Sequence, residues 1–303
     1  MAERPQILCV GAMLWDVIGR SPARLAPGDD VAGQIRRMPG GVALNIALAL
    51  ARQGLPVAIL SSVGHDTPGD ALLAEVGRLG VDTRWIWREG NLPTDTYLAI
   101  ESPDGLVAAI ADVGCIEIAG ARILSPLRDG RLGDRASPWS GTLILDGNLT
   151  PATISEMEGD PCLSAADLRI APASPDKVAR LRPLLTHPRA TFHLNRAEAE
   201  ALTDRSFSGA PDAAASAAEA VIASGASRAL VTDGARAAAD ACRGETTLTE
   251  TPPPVAALRV TGAGDTFVAA HIAAERAGAS RTEALRAAIR ASATHVSGME
   301  QPS

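Results

Sequence analysis

The strongest constraint on the fold is an alternation of short apolar runs with longer helical segments along most of the chain. Residues 6–12 (QILCVGA) and 57–61 have the apolar pattern of buried strands. Between them, residues 42–53 (VALNIALALARQ) are typical of a buried helix that ends at Gly54. Beyond residue 142 the same rhythm predicts further elements, among them a helix over 175–185, two edge strands within 235–251, and closing helices at about 264–277 and 282–297. Strands that alternate with helices predict an α/β fold with a parallel sheet covered on both faces.

A second, smaller sheet is predicted outside this pattern. Residues 96–110 contain TYLAI and LVAAI on either side of ESPDG, which indicates two short strands around a Pro-Asp-Gly turn. Residues 17–38 contain several prolines and glycines and are typical of short strands and turns. We expect residues 1–303 to form one domain, with a small lid built from about 14–38 and 94–112.

Composition and charge limit the possible partners. The chain has 303 residues, of which 46% are hydrophobic and 21% charged, as in globular proteins. The net charge is −7, and acidic and basic residues are interleaved without a basic stripe, so we expect no nucleic-acid partner. A polyanion such as ATP remains compatible with this charge, because a few local donors are enough to hold it.

The cysteines and the N-terminal segment bear on location. The four cysteines are far apart and form no C-x-x-C pair, so we interpret them as reduced, buried thiols of a cytoplasmic protein: Cys9, Cys115, Cys162 and Cys242. The N-terminus has no pattern of a secretion signal. No stretch approaches the roughly 20 apolar residues of a membrane span, so we expect no membrane partner.

The most informative segment is residues 260–267 (VTGAGDTF), where a Gly-Ala-Gly turn opens a helix. The first amides of a helix lack internal partners, and Gly262 and Gly264 let the backbone approach an anion closely. Asp265 falls in the first helical turn, where it can accept a hydroxyl proton while the amides stabilise a phosphoryl group. The alternative is an aspartate that only caps the helix. The segment is neither a Walker P-loop nor a G-x-G-x-x-G fingerprint.

A second glycine-rich turn, Gly40-Gly41, precedes the helix that contains Asn45. An asparagine in an aliphatic helix needs hydrogen-bond partners, because burial of an unpaired amide is unfavourable. One interpretation is that the glycines let a polar ligand lie against the backbone while Asn45 binds its hydroxyls. The other is a tight strand–helix turn in which Asn45 is bonded internally.

Three further groups follow predicted strands, where open α/β sheets bind ligands. Asn195 and Glu198 place an amide and a carboxylate there, and Glu198 can act on Mg²⁺ through water, or the pair can simply cap a helix. Thr232 and Gly234 can contact phosphate or form an ordinary turn. Asp16 is either a ligand contact or a surface aspartate.

Taken in this order, these segments resemble the ribokinase-like (PfkB-type) family of sugar and nucleoside kinases over nearly the whole chain. The two most specific stretches are residues 39–69 (PGGVALNIALALARQGLPVAILSSVGHDTPG) and 260–269 (VTGAGDTFVA). The resemblance implies a three-layer α/β/α sandwich with a mostly parallel central sheet and a small β-sheet lid. It also implies an ATP- and Mg²⁺-dependent kinase that acts on a nucleoside or sugar.

The resemblance assigns roles to individual residues. Asp265 would be the base, and Gly262, Ala263 and Gly264 would form the anion hole. Asp16, Gly40, Gly41 and Asn45 would hold the sugar, and Glu198 would lie near Mg²⁺. The nucleotide would meet Asn195, Thr232 and Gly234, with the adenine bordered by Ala288, Ala291, Ser292 and His295.

Within the family, residues 94–113 and 144–150 are most similar to the corresponding stretches of pseudouridine kinases. This similarity implies that Thr96, Asp112 and Asn148 contact the ribose or the base. One departure concerns the monovalent cation: an aspartate that helps to hold it in relatives is absent, and Arg259-Val260 stand there instead. We hypothesise that Arg259 supplies the charge of that cation, so K⁺ is a doubtful cofactor.

The expected reaction is in-line transfer of the ATP terminal phosphoryl group to a primary hydroxyl, with the lid excluding water. Ribose, fructose, 2-keto-3-deoxygluconate and adenosine remain alternative acceptors. A nicotinamide-dependent oxidoreductase is disfavoured because the first predicted strand is followed by only one glycine, Gly11. A non-catalytic nucleoside-binding regulator is disfavoured by the intact Gly-Ala-Gly-Asp segment. The exposed lid strands suggest a homodimer.

Overall fold

The computed structural model describes residues 5–88 and 90–298. In this part of the chain the strands are β1 (Ile7–Val10), β2 (Leu14–Arg20), β3 (Gln34–Gly40), β4 (Val57–Leu60), β5 (Thr96–Ser102), β6 (Gly105–Asp112), β7 (Thr142–Asp146), β8 (Asp167–Ala171), β9 (Ala190–Asn195), β10 (Arg228–Thr232), β11 (Ala238–Cys242) and β12 (Leu248–Glu250). The α-helices are α1 (Val42–Arg52), α2 (Thr67–Arg78), α3 (Gly114–Ala119), α4 (Pro151–Met157), α5 (Pro175–Val178), α6 (Arg196–Thr203), α7 (Ala213–Ala223), α8 (Ala263–Arg276) and α9 (Arg281–Val296).

The central sheet has eight strands in the spatial order β12-β11-β10-β9-β8-β7-β1-β4. The strands from β10 to β4 are parallel, whereas β11 and β12 continue the sheet in antiparallel pairing. Strand β1 is buried on both faces: Ile7 and Cys9 pack in one apolar cluster, and Leu8 and Val10 pack in the other. This burial on two sides explains why the inner strands are continuous apolar runs. The predicted α/β sandwich is confirmed.

The small sheet is separate and has the order β3-β2-β5-β6. Strands β2 and β5 are parallel at its centre, and β3 and β6 form antiparallel edges. The register aligns Asp16 with Tyr97 and Tyr97 with Ala111. Because side chains alternate along a strand, these three residues share one face and their neighbours point to the other. The predicted pairing of the segments near 17–38 and 96–110 is therefore confirmed.

Some local predictions differ from the structure. The single helix predicted over 175–185 is α5 followed by a 3₁₀ helix, Ala179–Leu184, which contains Pro183. Proline lacks the amide hydrogen that a continuing α-helix needs. The segment before β7 contains α3 and a 3₁₀ helix, Gly120–Leu127, neither of which was predicted from the sequence. Cys242 is half-buried, unlike the other three cysteines.

One feature of the helices bears on membranes. In the described ranges, 5–88 and 90–298, no helix combines the length and apolar character required to cross a bilayer.

Candidate active site

A cavity of about 520 Å³ lies where the parallel strands β7 to β10 end, on the side facing the small sheet. Parallel strands present their carboxyl ends at one edge, which is the usual ligand edge of such sheets. The residues predicted from the sequence that line this cavity are Asp16, Gly41, Asn45, Asn148, Asn195, Glu198, Thr232, Gly262, Gly264 and Asp265. The fold thus gathers positions that are up to 249 residues apart in the chain into one space.

The amino end of α8 forms one wall of the cavity. Its N-cap is Gly262, which adopts a left-handed φ of 83° and provides no side-chain cap. In the described part of the chain, no acceptor meets the amide hydrogens of Gly264 and Asp265. The helix therefore presents free donors with partial positive charge at this wall.

Asp265 does not cap its own helix. One of its carboxylate oxygens accepts a hydrogen bond from the Asn45 side-chain amide at 2.9 Å. Burial raises the pKa of Asp265 to about 6, and the charges of Asp146 and Asp16 act in the same direction. The carboxylate is thus held toward the cavity rather than toward its helix amides, which excludes the capping interpretation.

The two glycines before α1 are required by close approach. A side chain at Gly40 would overlap the Asp16 carboxyl group, and one at Gly41 would overlap the Ala12 carbonyl. Gly41 also has a φ of 102°, which L side chains rarely adopt. These glycines let Asp16 lie directly over the turn into α1.

Asp16 is available to a ligand. Its carboxylate forms no hydrogen bond or ion pair within residues 5–88 and 90–298, although the side chain is only half exposed. Desolvation by burial raises its pKa to about 6. An unpartnered, partly buried carboxylate is ready to accept hydrogen bonds from hydroxyl groups.

The sequence reasoning missed Asp146, which organises the floor of the site. This fully buried carboxylate accepts hydrogen bonds from the backbone amides of Ala12, Ala43 and Asn148, and from the Asn148 side chain. Burial raises its pKa despite these donors. The signal in the sequence was a charged residue ending the apolar run LILD. Its carboxylate joins the start of α1 to the end of β7.

Asn195 and Glu198 form the helix cap that was one of the two interpretations made from the sequence, and their roles toward nucleotide and Mg²⁺ stay predictions. They form a capping box at the start of α6, in which each side chain accepts from the other residue's amide, at 2.9 and 2.8 Å. Glu198 also lines the cavity, and burial raises its pKa to about 7, with the nearby Asp265 charge contributing. The capping box of α6 thus lies at the edge of the cavity.

Several predicted contacts do not line the cavity. Thr96 is the register partner of Asp112 and lies on the face opposite Tyr97 and Ala111. The Thr96 hydroxyl is 3.4 Å from the Thr94 carbonyl, and Asp112 is exposed. Gly40 at the end of β3, Ala263 at the start of α8 and Gly234 in the turn after β10 are not part of the cavity lining. The roles of these residues as ligand contacts stay predictions.

Helix α9 supports the loop before α8 rather than facing the cavity. The Ser292 hydroxyl donates to the Ala263 carbonyl at 3.1 Å, and the His295 ring lies 2.7 Å from the Thr261 carbonyl. Ala288 is buried against Phe267, and Ala291, also on α9, is half-buried. Their predicted position around adenine stays a prediction.

Arg259 is exposed, and its side chain has no ion-pair partner in the described ranges. Its backbone amide donates to the Val296 carbonyl at 3.0 Å. The structure therefore provides no contact that supports the proposed replacement of a monovalent cation by Arg259.

Other lining residues were not anticipated from the sequence. They are Tyr97 on β5, Ser174 and Lys177 after β8, and His193 on β9. Tyr97 is the chain's only tyrosine and Lys177 its only lysine, so rarity was the available signal. Periodicity could not single them out, because each lies in an ordinary strand, turn or helix pattern.

Comparison with known proteins identifies the family. Residues 4–113 and 149–300 match the pfkB family of carbohydrate kinases, and the chain belongs to this family. The resemblance stated from the sequence is thereby confirmed. The family is one of carbohydrate kinases, which are phosphotransferases with an alcohol group as acceptor.

Individual relatives are more distant. The chain is 28% identical over 215 residues to the pseudouridine kinase of Escherichia coli strain K12, which covers 71% of this chain and 66% of that protein. It is 33% identical over 151 residues to the uncharacterized sugar kinase YeiI of the same organism, covering 50% and 40%. The chain thus spans two thirds or less of these curated relatives. The fold matches Arabidopsis thaliana ribokinase complexed with ribose and ATP, with a TM-score of 0.77 at 21% identity over 97% of this chain and 93% of that chain.

Proposed function

We propose that this protein transfers the terminal phosphoryl group of ATP to a primary hydroxyl of a nucleoside or sugar, with Asp265 as the general base. The observation that carries the proposal is the position of the Asp265 carboxylate. It shares one cavity with Asp16 and Asn45 and belongs to the same helical turn as the free Gly264 amide. A base and an anion-binding group are thus adjacent, which is the requirement for moving a phosphoryl group to an alcohol.

The reaction balances with this chain's groups. The acceptor oxygen forms a bond to the terminal phosphorus, the bond from that phosphorus to the bridging oxygen breaks, and ADP leaves. The hydroxyl proton passes to Asp265. The free amides of Gly264 and Asp265 stabilise the charge on the transferring group, while Asp16 and Asn45 orient the acceptor. We also propose that the small sheet acts as a lid that excludes water.

The site is compatible with ATP and Mg²⁺. In the described residues no cluster of three or more His, Cys, Asp or Glu side chains could hold a metal directly. Mg²⁺ usually keeps several waters and binds substrate phosphates with one or two carboxylates, so such a cluster is not needed. Glu198 fits this role through water, because only one of its carboxylate oxygens is used by the capping box. When bound, the ion would offset phosphate charge. Asn195 and Thr232 are the proposed nucleotide contacts that line the cavity.

Among acceptors we favour pseudouridine, which would yield pseudouridine 5′-phosphate. The support is the similarity to the Escherichia coli pseudouridine kinase over 71% of this chain. Ribose, fructose, 2-keto-3-deoxygluconate and adenosine are the competing acceptors within the same chemistry. A screen of these compounds with ATP and Mg²⁺ decides among them, with product identified by mass spectrometry. The same assay in K⁺ and in a bulky organic cation tests Arg259, since strong K⁺ activation would discard its proposed role.

The mechanism is tested with Asp265→Asn. We expect turnover to fall by roughly 10²–10⁴-fold because the base is lost, with circular dichroism unchanged. The matched control is Asp70→Asn, which also removes an aspartate from the first turn of a helix but lies outside the cavity. Turnover within twofold of the parent in the Asp265 variant would remove this residue from the mechanism.

We further propose a homodimer formed through the outer face of the small sheet. That face, opposite Asp16 and Tyr97, exposes the apolar side chains Ile35, Leu98, Ile100 and Ile110. Ile35 and Ile110 are 79% and 67% exposed, and both lie on edge strands. A second copy of this face would cover these side chains.

A further inference from the structure

The chain contains one lysine and 27 arginines, and the one lysine lines the candidate active site. Elsewhere in the described ranges, the Asp and Glu side chains that form ion pairs do so with arginine, apart from the contact of Glu275 with His271. Lysine differs from arginine in offering a compact ammonium with three donors instead of a flat fork.

Lys177 is oriented by a short chain of hydrogen bonds. Its ammonium donates to the Asn148 side-chain oxygen at 2.7 Å, and the Asn148 amide donates to Asp146 at 2.9 Å. Asp146 in turn accepts from the backbone amide of Ala43 at 3.1 Å, in the first turn of α1. Helix α1 also contains Asn45. These hydrogen bonds therefore connect Lys177 to the side of the cavity formed by Asp16 and Asn45, the acceptor half, and not to the Thr232 side.

The Lys177 ammonium has hydrogen-bond donors to spare for a ligand in the cavity. The carboxylates that line it are Asp16, Glu198 and Asp265, and Lys177 is the one lysine or arginine among the described lining residues. Asn148 is the single hydrogen-bond partner of the Lys177 ammonium in the ranges that the structure describes. An ammonium has three donors, so two remain for a ligand.

We propose that Lys177, oriented by Asn148, selects acceptors that have a carbonyl or carboxylate oxygen in addition to their hydroxyl groups. This inference rests on the proposed kinase function. A sugar hydroxyl is well served by Asp16 and Asn45, whereas an ammonium is a donor only and requires an acceptor oxygen. A nucleobase carbonyl or a sugar-acid carboxylate supplies it. A plain sugar such as ribose offers only hydroxyl and ring oxygens, which are weaker acceptors for an ammonium, so Lys177 favours the first group of acceptors over plain sugars.

The first test compares Lys177→Met with the parent on uridine, pseudouridine, 2-keto-3-deoxygluconate, ribose and fructose. We expect kcat/KM to fall by about 10–100-fold for those of the first three compounds that are phosphorylated, because a hydrogen bond to a charged group is lost. The sugars, where phosphorylated, should change by less than twofold. A nucleoside-only loss identifies a base carbonyl, and a sugar-acid-only loss identifies a carboxylate. Arg180→Met, three positions later and outside the cavity, is the matched control.

Equal losses for all acceptors, or a rise in the KM for ATP alone, would overturn the inference by assigning Lys177 to the phosphates. A second measurement does not need turnover, so it separates this inference from the kinase proposal. The single lysine can be acetylated with an N-hydroxysuccinimide ester and its peptide quantified by mass spectrometry. We expect protection by a nucleoside or sugar acid without ATP. Protection by ATP only, by ribose equally, or by none of these ligands contradicts the inference.

Discussion

The side-chain amide of Asn45 lies 2.9 Å from a carboxylate oxygen of Asp265, although the two residues are 220 positions apart in the chain. The contact joins the first turns of α1 and α8, the two helices that begin with glycine-rich turns. It holds the proposed base over the acceptor half of the cavity. The relationship has consequences for the ionisation of Asp265 and for the stability of both helix starts.

The pH dependence of activity should report the raised pKa of Asp265. A general base must be ionised, and burial raises this pKa to about 6, so kcat/KM should rise with pH through about 6. With an unperturbed aspartate, the rise in kcat/KM would instead be centred at about pH 4. Rates measured between about pH 4.5 and 8.5 test this. A limb near 4, with the protein folded throughout, would contradict the proposed environment.

Asn45→Ala should move that limb to higher pH. Burial raises the pKa of Asp265, whereas the hydrogen bond from Asn45 favours the ionised carboxylate and lowers that pKa. Loss of the hydrogen bond should therefore raise the pKa of Asp265 further. We expect a lower kcat/KM at neutral pH with partial recovery at higher pH. Gln53→Ala removes an exposed amide from the end of the same helix and should leave the profile unchanged. An unshifted limb in the Asn45 variant would show that the contact does not tune the base.

Gly41→Ala should destabilise the protein and weaken acceptor binding. The added methyl group meets the Ala12 carbonyl and also imposes a φ of 102° on alanine. Strain of this kind costs about 1–3 kcal/mol, which urea unfolding can measure. Gly54→Ala is the control, since Gly54 has a φ of 77° but open space around it. Equal losses in both variants would attribute the effect to φ alone and not to the Ala12 contact.

Glu275 should be a strong determinant of stability, because it fastens α8 to the central sheet. Its carboxylate pairs with Arg169 on β8 at 2.5 Å and with Arg228 on β10, and it lies 3.7 Å from His271. Glu275→Ala would leave Arg169 paired with Asp167 alone and Arg228 paired with Asp240 alone. Each largely buried guanidinium group would then lose one of its two carboxylate partners, so we expect a loss of about 2 kcal/mol in the free energy of unfolding. Glu75→Ala, which removes one partner of an exposed pair, should change little. Similar losses in both variants would refute a special role for Glu275.

The proposed dimer is tested by placing a charge on the outer face of the small sheet. Ile110→Lys should shift the protein to monomer in analytical ultracentrifugation, because the charge would be buried at the interface. Ile118→Lys alters a comparably exposed isoleucine on α3 and should not change the mass. A parent protein that is monomeric at micromolar concentration would end the dimer proposal.

The sequence by itself determined the α/β architecture, the second small sheet and the two glycine-rich helix starts. These features depend on local periodicity and on backbone conformations that few residues can adopt, so a linear pattern contains them. It also pointed to Asp265, Asn45 and Asp16, since polar residues at helix starts and strand ends are exceptions to an apolar pattern.

Tertiary structure decided which of those residues meet. Asp146 and Lys177 are ordinary in their local patterns, and their roles follow from distances between β7, α5 and α1 that no local rule fixes. The orientation of Thr96 and Asp112 depended on the register of β5 and β6, because a shift of one residue exchanges the two faces of a strand. Burial is likewise a property of the assembled fold, and burial raises the pKa of Asp265, Asp16 and Glu198.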